Sequence, residues 1–238
     1  MYKKLLFSLV LMVIGFSTSY AQQELMVYDG NATNTYVPVY GFYADAFTKV
    51  EFVMNSDDLS PMTGGAITGM TWYLVEPAGK VWGGRFQIFV KEVSFSSIST
   101  FNGMDGATIV YDGPLDATSG VLKIDFTAPY VYEGDNLLVG VYGVETGQYS
   151  GAAFLGVSAP GAAVQNYSYT SLDVITSPNQ RDFLPKTTFT YTSSGSVVYY
   201  KPTNLQVTDI ATNGATITWT PGSDETSWNV EYKKHSEE

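Results

Sequence analysis

The sequence has no cysteine and a single histidine, His235. Without thiols, the chain has no disulfide to lean on and must be held by apolar burial. With one histidine near the C-terminal end, no Ser-His or Cys-His catalytic pair and no histidine-based metal site can form in the preceding part of the chain. Cations are scarce too: 12 Lys and Arg stand against 23 Asp and Glu, a formal net charge of -11. A surface of that sign repels nucleic acid and anionic membrane, so no nucleic-acid partner is expected. Long apolar runs are missing except at the start, where residues 5–16 follow Lys3 and Lys4. That run is shorter than the roughly 20 residues a spanning helix needs.

The N-terminal stretch therefore reads as a secretory signal peptide rather than a transmembrane segment. Ser19 and Ala21 put small residues where a signal peptidase reads, so cleavage is expected between Ala21 and Gln22. No cysteine follows to take a lipid. Loss of Lys3 and Lys4, the only charges in residues 1–21, turns -11 into -13. The expected location is extracellular or on the outer cell surface.

What the chain does have is 45% hydrophobic residues, 18 tyrosines and 23 glycines. That balance favours strands and tight turns. In "FQIFVKEV", Phe86, Ile88 and Val90 fall on one face and Gln87, Phe89 and Lys91 on the other. In "VLKIDF", Leu122, Ile124 and Phe126 oppose Lys123 and Asp125. Alternation at period two marks half-buried strands. Turn-forming clusters such as "SDDLSPMTGG", "EPAGKVWGG" and "FNGMDG" separate the runs. The expected fold is all-β: a jelly-roll-like sandwich of two facing sheets, with Trp72 of "MTWYL" in its core.

"VYDG" occurs at residues 27–30 and 110–113, and "VYEG" at 131–134. Three acidic turns raise the question of calcium. A calcium loop needs several oxygen ligands at fixed offsets. The loop that would begin at Asp29 has Tyr40, not glutamate, at its twelfth position. Strands ending in glycine-bearing turns account for the repeat more simply, and no metal is expected.

The Ser/Gly-rich stretch after residue 192 divides the chain: a sandwich at 22–192, a linker at 193–201 and a second unit at 202–238. That second unit, "PTNLQVTDIATNGATITWTPGSDETSWNVEYKK", resembles the A, B and C strands of a fibronectin type III domain. Ala215, Ile217 and Trp219, then Trp228, Val230 and Tyr232, form its apolar faces. Such a sandwich takes about 100 residues, so the resemblance implies an incomplete immunoglobulin-like domain within a longer modular chain. The segments "YDGNATNTYVPVYGFYADAFTKVEFVM", "WGGRFQIFVKEV" and "APYVYEGDNLLVGVY" resemble an uncharacterised sandwich module of exported multidomain proteins of Gram-negative gut bacteria. The resemblance implies an adhesin-like surface or secreted protein and no defined chemistry.

No nucleophile elbow, phosphate loop or dinucleotide fingerprint is present. A carboxylate pair for glycoside hydrolysis survives without His or Cys, with Asp57, Asp58, Glu76, Asp105 and Glu133 as candidates by type. Each sits in a turn-like stretch where solvated acids are ordinary. The expectation is a non-catalytic protein without cofactor that recognises a glycan or protein, with a structural spacer as the rival reading. Exposed aromatics would carry recognition. Trp82, read as lying in the loop "GKVWGGR" beside Arg85, comes first, followed by Tyr40 and Tyr43; the bland reading of Trp82 is a cap on the core.

Overall fold

The computed structural model describes residues 22–40, 45–75, 80–117, 120–148, 151–193, 203–211 and 214–220. Residues 1–21, read from the sequence as a signal peptide, Tyr43, Glu76, the stretch after residue 193 read as a linker, and the run 227–232 lie outside them. The chain forms two compact units, one spanning Ala21–Val198 and the other containing the last strands.

The larger unit is an all-β sandwich. In chain order its strands are β1 (Gln23–Val27), β2 (Ala32–Asn34), β3 (Phe47–Met54), β4 (Ala66–Tyr73), β5 (Lys80–Val93) and β6 (Thr108–Ala117). They continue with β7 (Val121–Val131), β8 (Asn136–Glu145), β9 (Phe154–Ser168), β10 (Asn179–Pro185) and β11 (Thr187–Thr192). One sheet runs β1-β11-β4-β7, the other β10-β9-β3-β8-β5-β6 with β2 added beside β9. Every pairing is antiparallel, as short turns between alternating runs allow.

The core between the sheets is made by the predicted inward faces. Phe86, Ile88 and Val90 of the large sheet meet Trp72, Leu122, Ile124 and Phe189 of the small one, all buried. Trp72 is fully buried with its ring edge-on to Phe52, the centroids 6.2 Å apart. On the solvent face of β7, Lys123 pairs with Asp125 at 2.8 Å.

Three details differ from the sequence reading. The cluster "SDDLSPMTGG" is a turn of helix, α1 (Ser56–Leu59), followed by a 3-10 turn, and it buries Leu59 and Met62. From Lys80 on, "KVWGG" is not a loop: β5 begins at Lys80, and Trp82 pairs with Leu115. Pairing with β6 carries the strand past the glycines, and the irregularity falls between Trp82 and Phe86. Finally, Phe89 does point away from the main core, yet it is buried. With Val53, Ile98, Leu138, Tyr142 and Val164 it builds a second apolar cluster on the outer face of the large sheet.

The second unit shows β12 (Thr203–Ala211) paired antiparallel with β13 (Gly214–Thr220). Val207 stands opposite Ile217, and both are exposed, as is Leu205. Among the described residues, no helix is long and apolar enough to cross a membrane.

Candidate functional site

Of the residues singled out from the sequence, Gln22 is exposed just before β1, while Ala21 and Tyr43 lie outside the described residues. Trp82 is placed by its backbone in β5 and its side chain is not among those described. Arg85 is exposed but already engaged. Its Nε and Nη2 donate to the two oxygens of Asp112 at 2.6 and 2.7 Å, and Nη1 donates to Glu145 at 3.2 Å. The two Arg85 bonds to Asp112, with one from Gln87, pull the Asp112 carboxyl down from its ordinary 3.8 to about 2. Tyr40 does not offer a ring face to a ligand. It is buried between Tyr36 and Tyr167, with centroids 5.3 and 5.2 Å away. The Arg181 guanidinium lies 3.9 Å over Tyr36 at the end of that stack.

The acidic turns find partners other than a cation of calcium type. Lys186 pairs with Asp29 at 2.5 Å, and Asp112 takes Arg85 and Gln87. The third turn points donors inward: the backbone N–H groups of Glu133, Gly134 and Asp135 reach the Glu92 carboxylate at 2.8, 2.7 and 2.8 Å. This turn holds an anion, the opposite of a calcium loop. Among the described residues no group of three or more His, Asp or Glu is placed to hold a metal.

A concave feature of the sandwich lies on the outer face of the large sheet, between the loops 94–107 and 169–178. Its floor is Lys49 of β3 with Tyr142 and Val144 of β8; Lys49 and Tyr142 stand directly opposite in the β3–β8 register. One wall is the stretch 101–104, the other Leu172 and Asp173. The open cleft measures about 460 Å³.

Its walls are held from below by charge. Glu51, fully buried two positions along β3 from Lys49, accepts the N–H of Asn102 at 2.7 Å and of Gly103 at 2.9 Å, and the hydroxyl of Tyr142. Burial and the Glu51 charge push the Tyr142 phenol well above its usual range, so it stays a donor. Lys91 on β5 donates to the carbonyls of Gly103 and Asp105, both at 2.9 Å. Gly103 and Gly106 adopt φ of +73° and +68°, which only glycine takes without strain, so "FNGMDG" turns back over the sheet. Under the loop, the Phe89 ring fits only because β8 has Gly140 there: a Cβ would sit 2.0 Å from the ring.

Lys49 is half-buried. Its Nζ lies 5.7 Å from the Phe101 centroid and 5.4 Å from that of Tyr142, and donates to the Ile175 carbonyl at 3.2 Å. Among the described residues no carboxylate reaches it at ion-pair distance. Asn102 and Asp173 are exposed at the rim.

The sequence reading missed this site because Lys49 and Glu51 look like the solvent face of a strand. A signal was present in the apolar Phe89 and Leu138 on the same face, which imply a cover. The carboxylates considered for hydrolysis do not gather here. Asp57 and Asp58 lie on α1, Asp105 in the loop 94–107 and Glu133 after β7, and none of these four lines the cleft. A scan against protein-family models and searches of curated proteins and of solved structures find no match to this chain.

Proposed function

We propose that the protein is an exported, adhesin-like recognition module without catalytic activity, and that it binds a glycan or protein ligand in the cleft over β3 and β8. The observation that carries this reading is Lys49: a cation held on two aromatic rings, open to an entrance with apolar walls and, at its rim, polar side chains that have no partner among the described residues. Binding sites combine an apolar lining with a few placed polar groups in this way. The Glu51 carboxylate beneath the cleft is occupied by three donors in holding the wall. It is a structural group, which favours recognition over hydrolysis. The second unit, in this reading, is of fibronectin type III kind.

The experiment is a screen of the full chain against a glycan array and against extracellular-matrix proteins, alongside Met104→Trp to fill the cleft. Binding lost in that variant, with the fold intact, supports the reading. Silence in both screens would favour a spacer, and hydrolysis of any tested polysaccharide at enzyme-like rates would overturn it.

A further inference from the structure

Resting on that reading, we infer that the ligand is a sugar ring bearing one carboxylate, anchored by that carboxylate on the Lys49 ammonium. An ammonium carries three N–H donors, and the Ile175 carbonyl takes one. The remaining donors have no carboxylate within reach among the described residues. Aromatic faces compensate a cation only in part. A half-desolvated cation at the bottom of a cleft is completed by an anion, through a charge-assisted hydrogen bond.

The rest of the cleft says what carries that anion. Asp173 stands at one wall and Asn102 at the other. Neither side chain has a protein partner among the described residues, so both are open to hydroxyl groups. Phe101, Met104 and Leu172 supply apolar surface for a ring's C–H face. A ligand with one negative charge, several hydroxyls and an apolar face satisfies all of them. An acidic peptide fits less well. Its further carboxylates would meet Asp173 and a chain whose net charge is -11. A polyanion such as nucleic acid is repelled for the same reason. Uronic and sialic acids share the required chemistry and differ in where the carboxylate sits on the ring.

The test is titration of the full chain with glycans ending in glucuronic acid or in N-acetylneuraminic acid. Each is compared with its methyl ester, which keeps the ring and removes the charge. The expected result is that one or both acids bind and that esterification weakens binding by about tenfold or more. Lys49→Gln should repeat that loss and Lys49→Arg should recover most of the affinity. The ester comparison is made on the unmodified protein, so the result stands even if a Lys49 variant folds poorly. Neutral glycans binding in the cleft with no effect of esterification or of Lys49→Gln would overturn this inference while leaving the recognition function in place. So would a protein ligand with no sugar binding. Absence of any binding would remove both.

Discussion

The buried Glu51 carboxylate accepts the backbone N–H of Asn102 at 2.7 Å, across 51 positions of sequence. This bond fastens the loop 94–107 to the sheet and so shapes one wall of the cleft. With Gly103 and Tyr142 also donating to it, the carboxylate is balanced by hydrogen bonds although buried. Glu51→Gln leaves an amide NH2 facing one of these donors. It should cost about 1–3 kcal/mol, read by urea denaturation, with faster hydrogen exchange at Asn102 and Gly103. Unchanged stability and exchange would show that the loop is held by other means.

A single methyl group tests the packing beneath. Gly140→Ala places a Cβ against the ring of the fully buried Phe89. Overpacking of this kind costs about 1–3 kcal/mol. Adding Phe89→Leu should return part of the loss, since the smaller side chain vacates the contact. If Gly140→Ala melts with the parent, the Phe89 ring does not lie where the cluster puts it.

The nest around Glu92 gives a second stability test. Glu92→Ala would leave the N–H groups of Glu133, Gly134 and Asp135 without their acceptor. Water can replace part of it at this partly exposed turn, so a cost of about 1 kcal/mol is expected. Calcium should leave the melting temperature of the parent unaltered at this turn, because its donors already face an anion. A calcium-dependent rise abolished by Glu92→Ala would contradict that.

Acid should act on the Arg85–Asp112 pair. The Asp112 carboxyl is held at about 2. A depressed value means its contribution is present above the ordinary 3.8 and is lost as pH falls toward 2. Both side chains are substantially exposed, at 47% and 34%, so the effect on melting is small. The cleaner measurement is an NMR titration of the Asp112 carboxyl. Arg85→Met should bring its midpoint back toward the ordinary value; a midpoint indifferent to Arg85 would sink the assignment.

Alkali should act through the buried Tyr132 and the half-buried Tyr130. Burial, then the nearby Glu92 charge, raises the Tyr130 and Tyr132 phenols from 10.0 to about 12. The unfolded chain ionises near 10 while the folded one holds its protons. Stability is therefore full below pH 10 and falls between pH 10 and 12. Absorbance at 295 nm should show a late-ionising class of tyrosines that joins the early class in urea. A single ionisation near 10 in the folded protein would refute the burial.

The sequence by itself determined the fold class and the inner faces. Alternation is local: once Phe86, Ile88 and Val90 repeat at period two, whichever sheet they join must bury that face, and it does. The same logic placed Trp72 in the core and Lys123 and Asp125 in solvent. The cleft was decided by tertiary structure alone. Lys49 and Tyr142 are neighbours only because β3 and β8 pair in one register, and a charged residue on an outward position reads as solvent-facing until something covers it. Tyr40 likewise looked like an exposed ring until Tyr36 and Tyr167 closed on it. Outer-face burial depends on where the loops 94–107 and 169–178 fold back, set by contacts distant in sequence such as Glu51 with Asn102 and Lys49 with Ile175. Periodicity records which face of a strand is apolar; it carries no record of what lies over the other.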